Sequence, residues 1–475
     1  MDTPNQICTD TIIPPHFDPA LRPIAHLAPP AGWANDPNGL IQHRGTYHVF
    51  YQHNPRGAGF NRHMHWGHAV STDLAHWQHR PISLAPDASG ADQNGCYSGC
   101  ALAVDGGVEL LYSTPDQHLC AATAVDDELD SWNKDAANPL IDGANNPSGT
   151  PHFRDPCVFQ HQGEWLMAIG SQHQDRGAIW LLHSDDRRNW EPLGPLLVDD
   201  GALPTALDCG AVWECPALFP LDGRWVLMVA ACNWAIGLRR TLAFVGDFDG
   251  HRFNVDSVAP FDHSPGGCYA AATCLDEHQR RLLWGWVVDG PGFEADAVGW
   301  CGALSWPLAL SLHGDRLHAS IPDELTALRA PNSHRSLCDG PSTGHCIDIA
   351  CHWTDVGDLP VGCRVWAGAH AGIAITVNPI GRCLIIDRSA LVDARGHSDN
   401  DRPVLVAPLS DADLRDCHLR IIADRSLLQV HCNDAVRITC RAYPDAADNQ
   451  IELIGTQRPP ASADCWNLES CIVPV

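Results

Sequence analysis

The sequence predicts an all-β protein, a five-bladed β-propeller followed by a C-terminal β-sandwich. Turns closed by an aromatic residue recur through the first half: Ser71 to Trp77, Asp126 to Trp132, Ser184 to Trp190 and, more loosely, Asp247 to Phe253. Their aromatics are spaced 55, 58 and 63 residues apart. Short runs with strand character lie between them, such as Thr46 to Tyr51, Val108 to Tyr112, Trp165 to Ile169 and Trp225 to Val229. A repeat of this length made of several short strands fits a propeller blade, where radial repetition leaves only short sheet edges. Helical periodicity is scarce.

The propeller is expected over residues 20–328. It ends at the helix-like Pro322-Asp323-Glu324-Leu325-Thr326-Ala327-Leu328, followed by the polar stretch Pro331 to Ser336. Residues 337–475 alternate strands and turns: Cys346 to Ala350, Ile373 to Val377, Cys383 to Ile386, Leu419 to Ala423, Leu427 to His431, Ala435 to Cys440 and Gln450 to Ile454. This density suits an antiparallel sandwich with a packing or substrate-shaping role.

Composition narrows the partners. A chain of 475 residues exceeds one hydrophobic core, and 45% hydrophobic with 18% charged residues marks it as globular. Asp and Glu outnumber Lys and Arg by 57 to 30, and Lys134 is the single lysine, so nothing here neutralises a phosphate backbone. A formal charge of −27 also repels anionic membranes and anionic substrates. The expected partner is a neutral small molecule, with no nucleic acid and no membrane; a homo-oligomer stays open. Met1 to Pro15 has no basic stretch followed by an apolar run, and no later segment approaches a membrane span, so a cytoplasmic location is expected. The 21 cysteines, scattered through strand-like runs, read as small buried hydrophobes.

Gly32-Trp33-Ala34-Asn35-Asp36-Pro37-Asn38-Gly39 holds one carboxylate between an amide and a proline. Taken alone it is an ordinary turn. Phe153-Arg154-Asp155-Pro156 and Trp213-Glu214-Cys215-Pro216 share its form, and positions 36, 97, 155, 214 and 269 step by 61, 58, 59 and 55 residues. Equal steps put Asp36, Tyr97, Asp155, Glu214 and Tyr269 at one place in successive blades, converging on one end of the central channel. Three carboxylates there repel one another, a cost that folding alone does not require. With Trp33, Trp66, Trp213 and Trp300 as candidate sugar platforms, the cluster points to glycosyl transfer chemistry. Three acids also suit a hard cation, and His63, His65 and His68 suit zinc. A His-rich strand is weak evidence among 27 histidines, so no metal or other cofactor is assigned.

As an ordered set the motifs resemble glycoside hydrolase family 32, the β-fructofuranosidases that include invertases, inulinases and levanases. The carriers are Trp33 to Gly39, Phe50-Tyr51-Gln52-His53-Asn54-Pro55, Met64-His65-Trp66-Gly67-His68-Ala69, Tyr97-Ser98-Gly99, Arg154-Asp155-Pro156, Glu214-Cys215-Pro216 and Gly299-Trp300-Cys301-Gly302-Ala303-Leu304. The resemblance implies a five-bladed propeller with a sandwich, and a retaining hydrolase of sucrose and short fructo-oligosaccharides. It makes Asp36 the nucleophile, Glu214 the acid/base and Asp155 the transition-state stabiliser beside Arg154. Asn35, Gln52, Trp66 and Ser98 would line the fructosyl subsite, with Cys215, Tyr269 and Trp300 as further substrate-binding candidates. A fructosyltransferase would use the same groups, and a sucrose-6-phosphate hydrolase would need cations near a sugar O6 that the acidic chain disfavours. An inert binding relative would be expected to have lost an acid. Glu214, near two anions and beside Trp213, is expected to hold its proton to raised pH, while Asp36 stays ionised. The chain departs from the family pattern at Phe60-Asn61, Cys100, Leu308 and Gln429.

Overall fold

In the computed structural model, which describes residues 16–201, 203, 207–290, 293–368, 372–391, 403–455 and 457–473, the strand-like runs of the first half fold as antiparallel four-stranded meanders. The stretch Met1 to Pro15, read above for targeting signals, lies outside the described residues. Among the described residues there are five meanders. The first is Gly32–His43, Thr46–Asn54, His65–Ser71 and Gln78–Leu84; the second Gly99–Val104, Gly107–Ser113, Leu119–Ala124 and Trp132–Lys134. The third is Phe153–His161, Glu164–His173, Arg176–Ser184 and Glu191–Val198; the fourth Val212–Leu221, Arg224–Asn233, Leu238–Phe248 and Phe253–Pro260. Tyr269–Leu275, Arg281–Trp286, Leu308–His313 and Arg316–Ser320 make the fifth. Their first strands neighbour one another around a closed ring, so each meander is one blade of a five-bladed propeller. Trp300–Cys301, in the loop before the fifth blade's third strand, pairs in parallel with Gly32 and Trp33 and ties the last blade to the first.

The aromatic-closed turns join the third and fourth strands of a blade. In each of the first three the residue three before the tryptophan is left-handed: Leu74 at φ 64°, Leu129 at 57° and Arg187 at 63°. That twist turns its carbonyl toward the indole, whose Nε1–H donates to it at 2.9, 3.1 and 3.2 Å for Trp77, Trp132 and Trp190. Phe253 has no such donor, and there the turn is held by Asp249 accepting from the His251 and Arg252 amides. Both faces of a blade pack against neighbours, so apolar side chains on either face are buried. Phe50, Trp66, Leu110 and Tyr112 fill the space between blades one and two, and Trp213, Leu227 and Phe244 pack with Leu166 and Ile179 between blades three and four. Each such side chain contributes about 1.5–3 kcal/mol.

Past a short 3₁₀ turn, Asp323–Leu328, two six-stranded sheets pack face to face as a sandwich. The seven runs read above as strands of this region lie in them, apart from Ala435, which just precedes Val436–Arg441. The short Arg335–Ser336 and Ser342–Thr343, and also Val361–Ala367, Val404–Pro408 and Ser462–Asn467, complete the sheets.

Buried polar groups lock the sandwich to the propeller. The fully buried Asp424 carboxylate accepts the amides of Ile24, Ala25 and His26 at 2.8–3.0 Å, and the His26 ring at 2.9 Å. Arg437 donates to the Phe261 carbonyl at 2.7 Å, and Gln429 accepts the Trp306 amide at 3.1 Å. Gln429, a departure from the family pattern, is thus an interface residue, and Leu308 is a buried core residue of blade five. Cys100 packs between blades two and three, its sulfur near the Val158 amide. Among the cysteines of the described residues, Cys338 is the exposed one.

Candidate active site

The acids reach the channel because prolines break the sheets beside them. A proline cannot donate to the ladder, so the strand bulges at that point and re-aims its side chains. In the innermost strands the register skips between Ala34 and Pro37, around Asp155-Pro156 and between Glu214 and Ala217, and, without a proline, between Tyr269 and Ala272. Asp155 and Cys215 sit at φ 64° and 45°, left-handed for residues with a Cβ, a strain that clusters at functional sites.

These bulges deliver Asp36, Asp155, Glu214 and Tyr269 into one cavity of about 590 Å³ at one end of the channel. Ser98 Oγ donates to Asp36 at 2.7 Å and Tyr269 Oη to Glu214 at 2.7 Å. Asp155 accepts the Cys215 amide at 3.2 Å and Ser113 Oγ at 3.3 Å. The Cys215 sulfur lies 3.6 Å from Asp36 and 3.5 Å from Asp155, beneath both, so Cys215 braces the acids and does not line the cavity. Arg154 reaches into the neighbouring blade and holds Glu214 through Nε at 3.1 Å and Nη2 at 2.6 Å, with its own neighbour Asp155 at 3.8 Å. Asn35, accepting the Trp33 indole N–H at 2.7 Å, and Gln52, donating to the Cys96 carbonyl at 3.0 Å, stand on the cavity wall.

The proton balance differs from the sequence expectation. Burial, reinforced by the charge of Glu214 and opposed by the Ser98 hydrogen bond, pushes Asp36 up to about 6. Burial also lifts Asp155 to about 7, with Arg154 opposing and Glu214 and Asp36 adding. Burial would raise Glu214 too, but the charge and hydrogen bonds of Arg154, and then Tyr269, outweigh it and hold Glu214 below its ordinary value. The expectation of a raised Glu214 is therefore not met: Asp36 and Asp155 are the raised carboxyls, Glu214 is the lowered one, and Asp36 is still ionised above about pH 6. Arg154 serves the acid on the next blade.

Three tryptophans named as sugar platforms are core residues. Trp66, Trp213 and Trp300 are fully buried, with their indoles donating to the carbonyls of Tyr97, Cys209 and Asp18. Trp66 and Trp300 are corrected accordingly as substrate-binding residues: Trp66 steadies the Tyr97-Ser98 backbone from behind, and Trp300 belongs to ring closure. Trp33 does reach the cavity, packed edge-on against Phe60 at 6.1 Å. Phe60, one of the departures from the family pattern, lines the mouth itself. The zinc reading gains nothing, since His68 is turned toward His48, at 3.0 Å, and Asp130.

Sequence reasoning missed Trp234, His152, Gln117, Arg62 and Arg239, which complete the rim. Trp234, 49% exposed, follows blade four's second strand, its ring 5.2 Å from His152 and 5.4 Å from the Arg154 guanidinium. A signal existed. In a meander whose first strand starts at the site, the loop after the second strand returns to the same end, and Phe60, Arg62, Gln117 and Trp234 all follow second strands.

Residues 26–320 match the glycosyl hydrolases family 32 N-terminal domain, and residues 323–467 the family 32 C-terminal domain. A sucrose-6-phosphate hydrolase of Klebsiella pneumoniae is 32% identical, with 94% of this chain and 93% of the relative aligned. The raffinose invertase of Escherichia coli is 30% identical over 91% of each. Among solved structures, a fructan 1-exohydrolase IIa from Cichorium intybus in complex with 1-kestose superposes with a TM-score of 0.82 at 23% identity, covering 96% of this chain and 99% of that one. A Bombyx mori β-fructofuranosidase variant in complex with sucrose gives 0.79 at 24% identity, covering 96% of each.

Proposed function

The chain belongs to glycosyl hydrolase family 32, and on that premise we propose that it is a retaining β-fructofuranosidase that hydrolyses sucrose and short fructo-oligosaccharides. The observation that carries this reading is the convergence of Asp36, Asp155 and Glu214, from three different blades, on one cavity. Asp36 attacks the anomeric carbon of the fructosyl unit, Glu214 protonates the departing oxygen, and Asp155 holds fructosyl hydroxyls. Water activated by Glu214 then releases fructose with a second inversion. For this, Glu214 has to hold a proton when the sugar enters although Arg154 keeps its carboxyl low; Asp155, raised to about 7, is the neighbouring carboxyl from which one can come. Trp234, on the open rim over Arg154, offers an aromatic face to the leaving sugar. With sucrose as substrate, proton NMR of the earliest product is expected to show β-fructofuranose; α-fructofuranose as the first product would sink the retaining mechanism.

A second reading, sucrose 6-phosphate as substrate, is favoured by one observation. Arg62 and Arg239 line the cavity, and among the described residues neither is ion-paired with a carboxylate. In a chain of net charge −27, two such cations at one mouth suit a phosphate. Under this reading Arg239→Ala raises KM for sucrose 6-phosphate roughly tenfold, about 1.4 kcal/mol, and leaves KM for sucrose within about twofold. Equal effects on the two substrates would reject it.

A further inference from the structure

Away from the sugar cavity, the outer face of one sandwich sheet carries a second chemical constellation. His352 and His418 are directly opposed on the antiparallel neighbours Cys346–Trp353 and Cys417–Asp424. Their rings lie parallel, centroids 4.0 Å apart and planes 6° from each other. Both Nε2 atoms turn to the same Asp416 oxygen, at 2.7 Å for His352 and 3.6 Å for His418. The geometry points to a surface site for one divalent transition-metal ion of the zinc, nickel or copper class, bound by His352 Nε2, His418 Nε2 and an Asp416 carboxylate oxygen.

Four features support it. The three donor atoms all lie within 4.8 Å of one another. Tetrahedral zinc, with bonds of about 2.0–2.1 Å, sets its ligand atoms roughly 3.3 Å apart, between the two separations seen, and small rotations of the half-buried His352 and exposed His418 rings close the difference. The scaffold is fixed before any ion arrives: Asn433 donates to the Asp416 carbonyl at 2.9 Å and accepts the His418 amide at 2.8 Å, and the Asp416 amide donates to the Ala412 carbonyl at 3.3 Å. Finally, a simple ion pair needs only one imidazolium on Asp416. Two protonated rings face to face would repel, whereas two neutral rings and a carboxylate form a nitrogen-rich set that prefers these ions to magnesium or calcium. The ion leaves its remaining positions to water and staples two strands, the second of which ends in the Asp424 clasp.

The test is a calorimetric titration of Zn²⁺ into metal-free full-length protein, in a buffer that does not chelate zinc. One-to-one binding is expected, weakened at least ~10-fold in His418→Ala and in His352→Ala, since loss of a ligand costs no less than loss of its supporting partner. Co²⁺ as probe should give a visible absorption band in the parent and lose it in both variants. Circular dichroism melts of the metal-free variants establish that these substitutions leave the fold intact, and sucrose hydrolysis should not change. No saturable binding by the parent, or undiminished one-to-one binding in both variants, overturns the proposal.

Discussion

Asp36→Asn is expected to abolish fructose release and, at the same time, to make the folded chain more stable at neutral and alkaline pH. The loss follows from removing the proposed nucleophile and should be at least about 10⁴-fold in kcat. The gain follows from burial. Asp36 titrates at about 6 in the folded chain against an ordinary 3.8, so the native state binds its proton more tightly than the unfolded chain does. Above pH 6 the carboxylate is charged in both states and the folded state bears the full penalty, roughly 3 kcal/mol. Below 3.8 it is neutral in both and the penalty is gone. The melting temperature of the asparagine variant should therefore exceed the parent's at pH 8, with the difference closing as pH falls from 6 to below 4. A constant difference across that range would show that the buried charge is not its source.

Arg154→Met is expected to lower kcat/KM roughly 10²-fold and to move the alkaline limb of its pH profile upward. The guanidinium is the main force holding Glu214 below its ordinary value, through its charge and two hydrogen bonds. Without it, burial and the neighbouring acids govern Glu214, which then keeps its proton to higher pH. The acid is easier to protonate but no longer positioned, and an arginine that orients charge in a closed site is worth a few kcal/mol of barrier. A purely structural arginine would change the rate and leave the limb where it was. A limb that stays put, or moves toward lower pH, would end this account of Arg154.

The fold was readable because its repeat is chemical as well as numerical. Prolines next to the three acids mark where three of the innermost strands bulge, and their near-equal spacing along the chain carries the blade count. The tryptophans misled because a blade is buried on both faces: Trp66 packs between blades one and two and Trp213 between blades three and four, and alternation along a strand does not tell that both faces are core. Proton ownership was hidden for a related reason. Arg154 is Asp155's neighbour in sequence but Glu214's partner in space, and which of two acids an arginine reaches depends on the angle between blades. Trp234 was overlooked although its loop obeys the same up-and-down order as the acids themselves.

The Asp424 clasp has a consequence for how the molecule comes apart. Three amides and a histidine from the segment that enters blade one end on a carboxylate of the sandwich, and near the other terminus Cys471 and Val473 hydrogen-bond to Ile24 and Trp77. Cutting the connection around Pro331 to Ser336 severs the peptide chain without severing these ties. The two halves then behave as a nicked but single particle, held by buried groups that neither half can satisfy alone. Recombining this propeller with a foreign sandwich would require transplanting the carboxylate along with it.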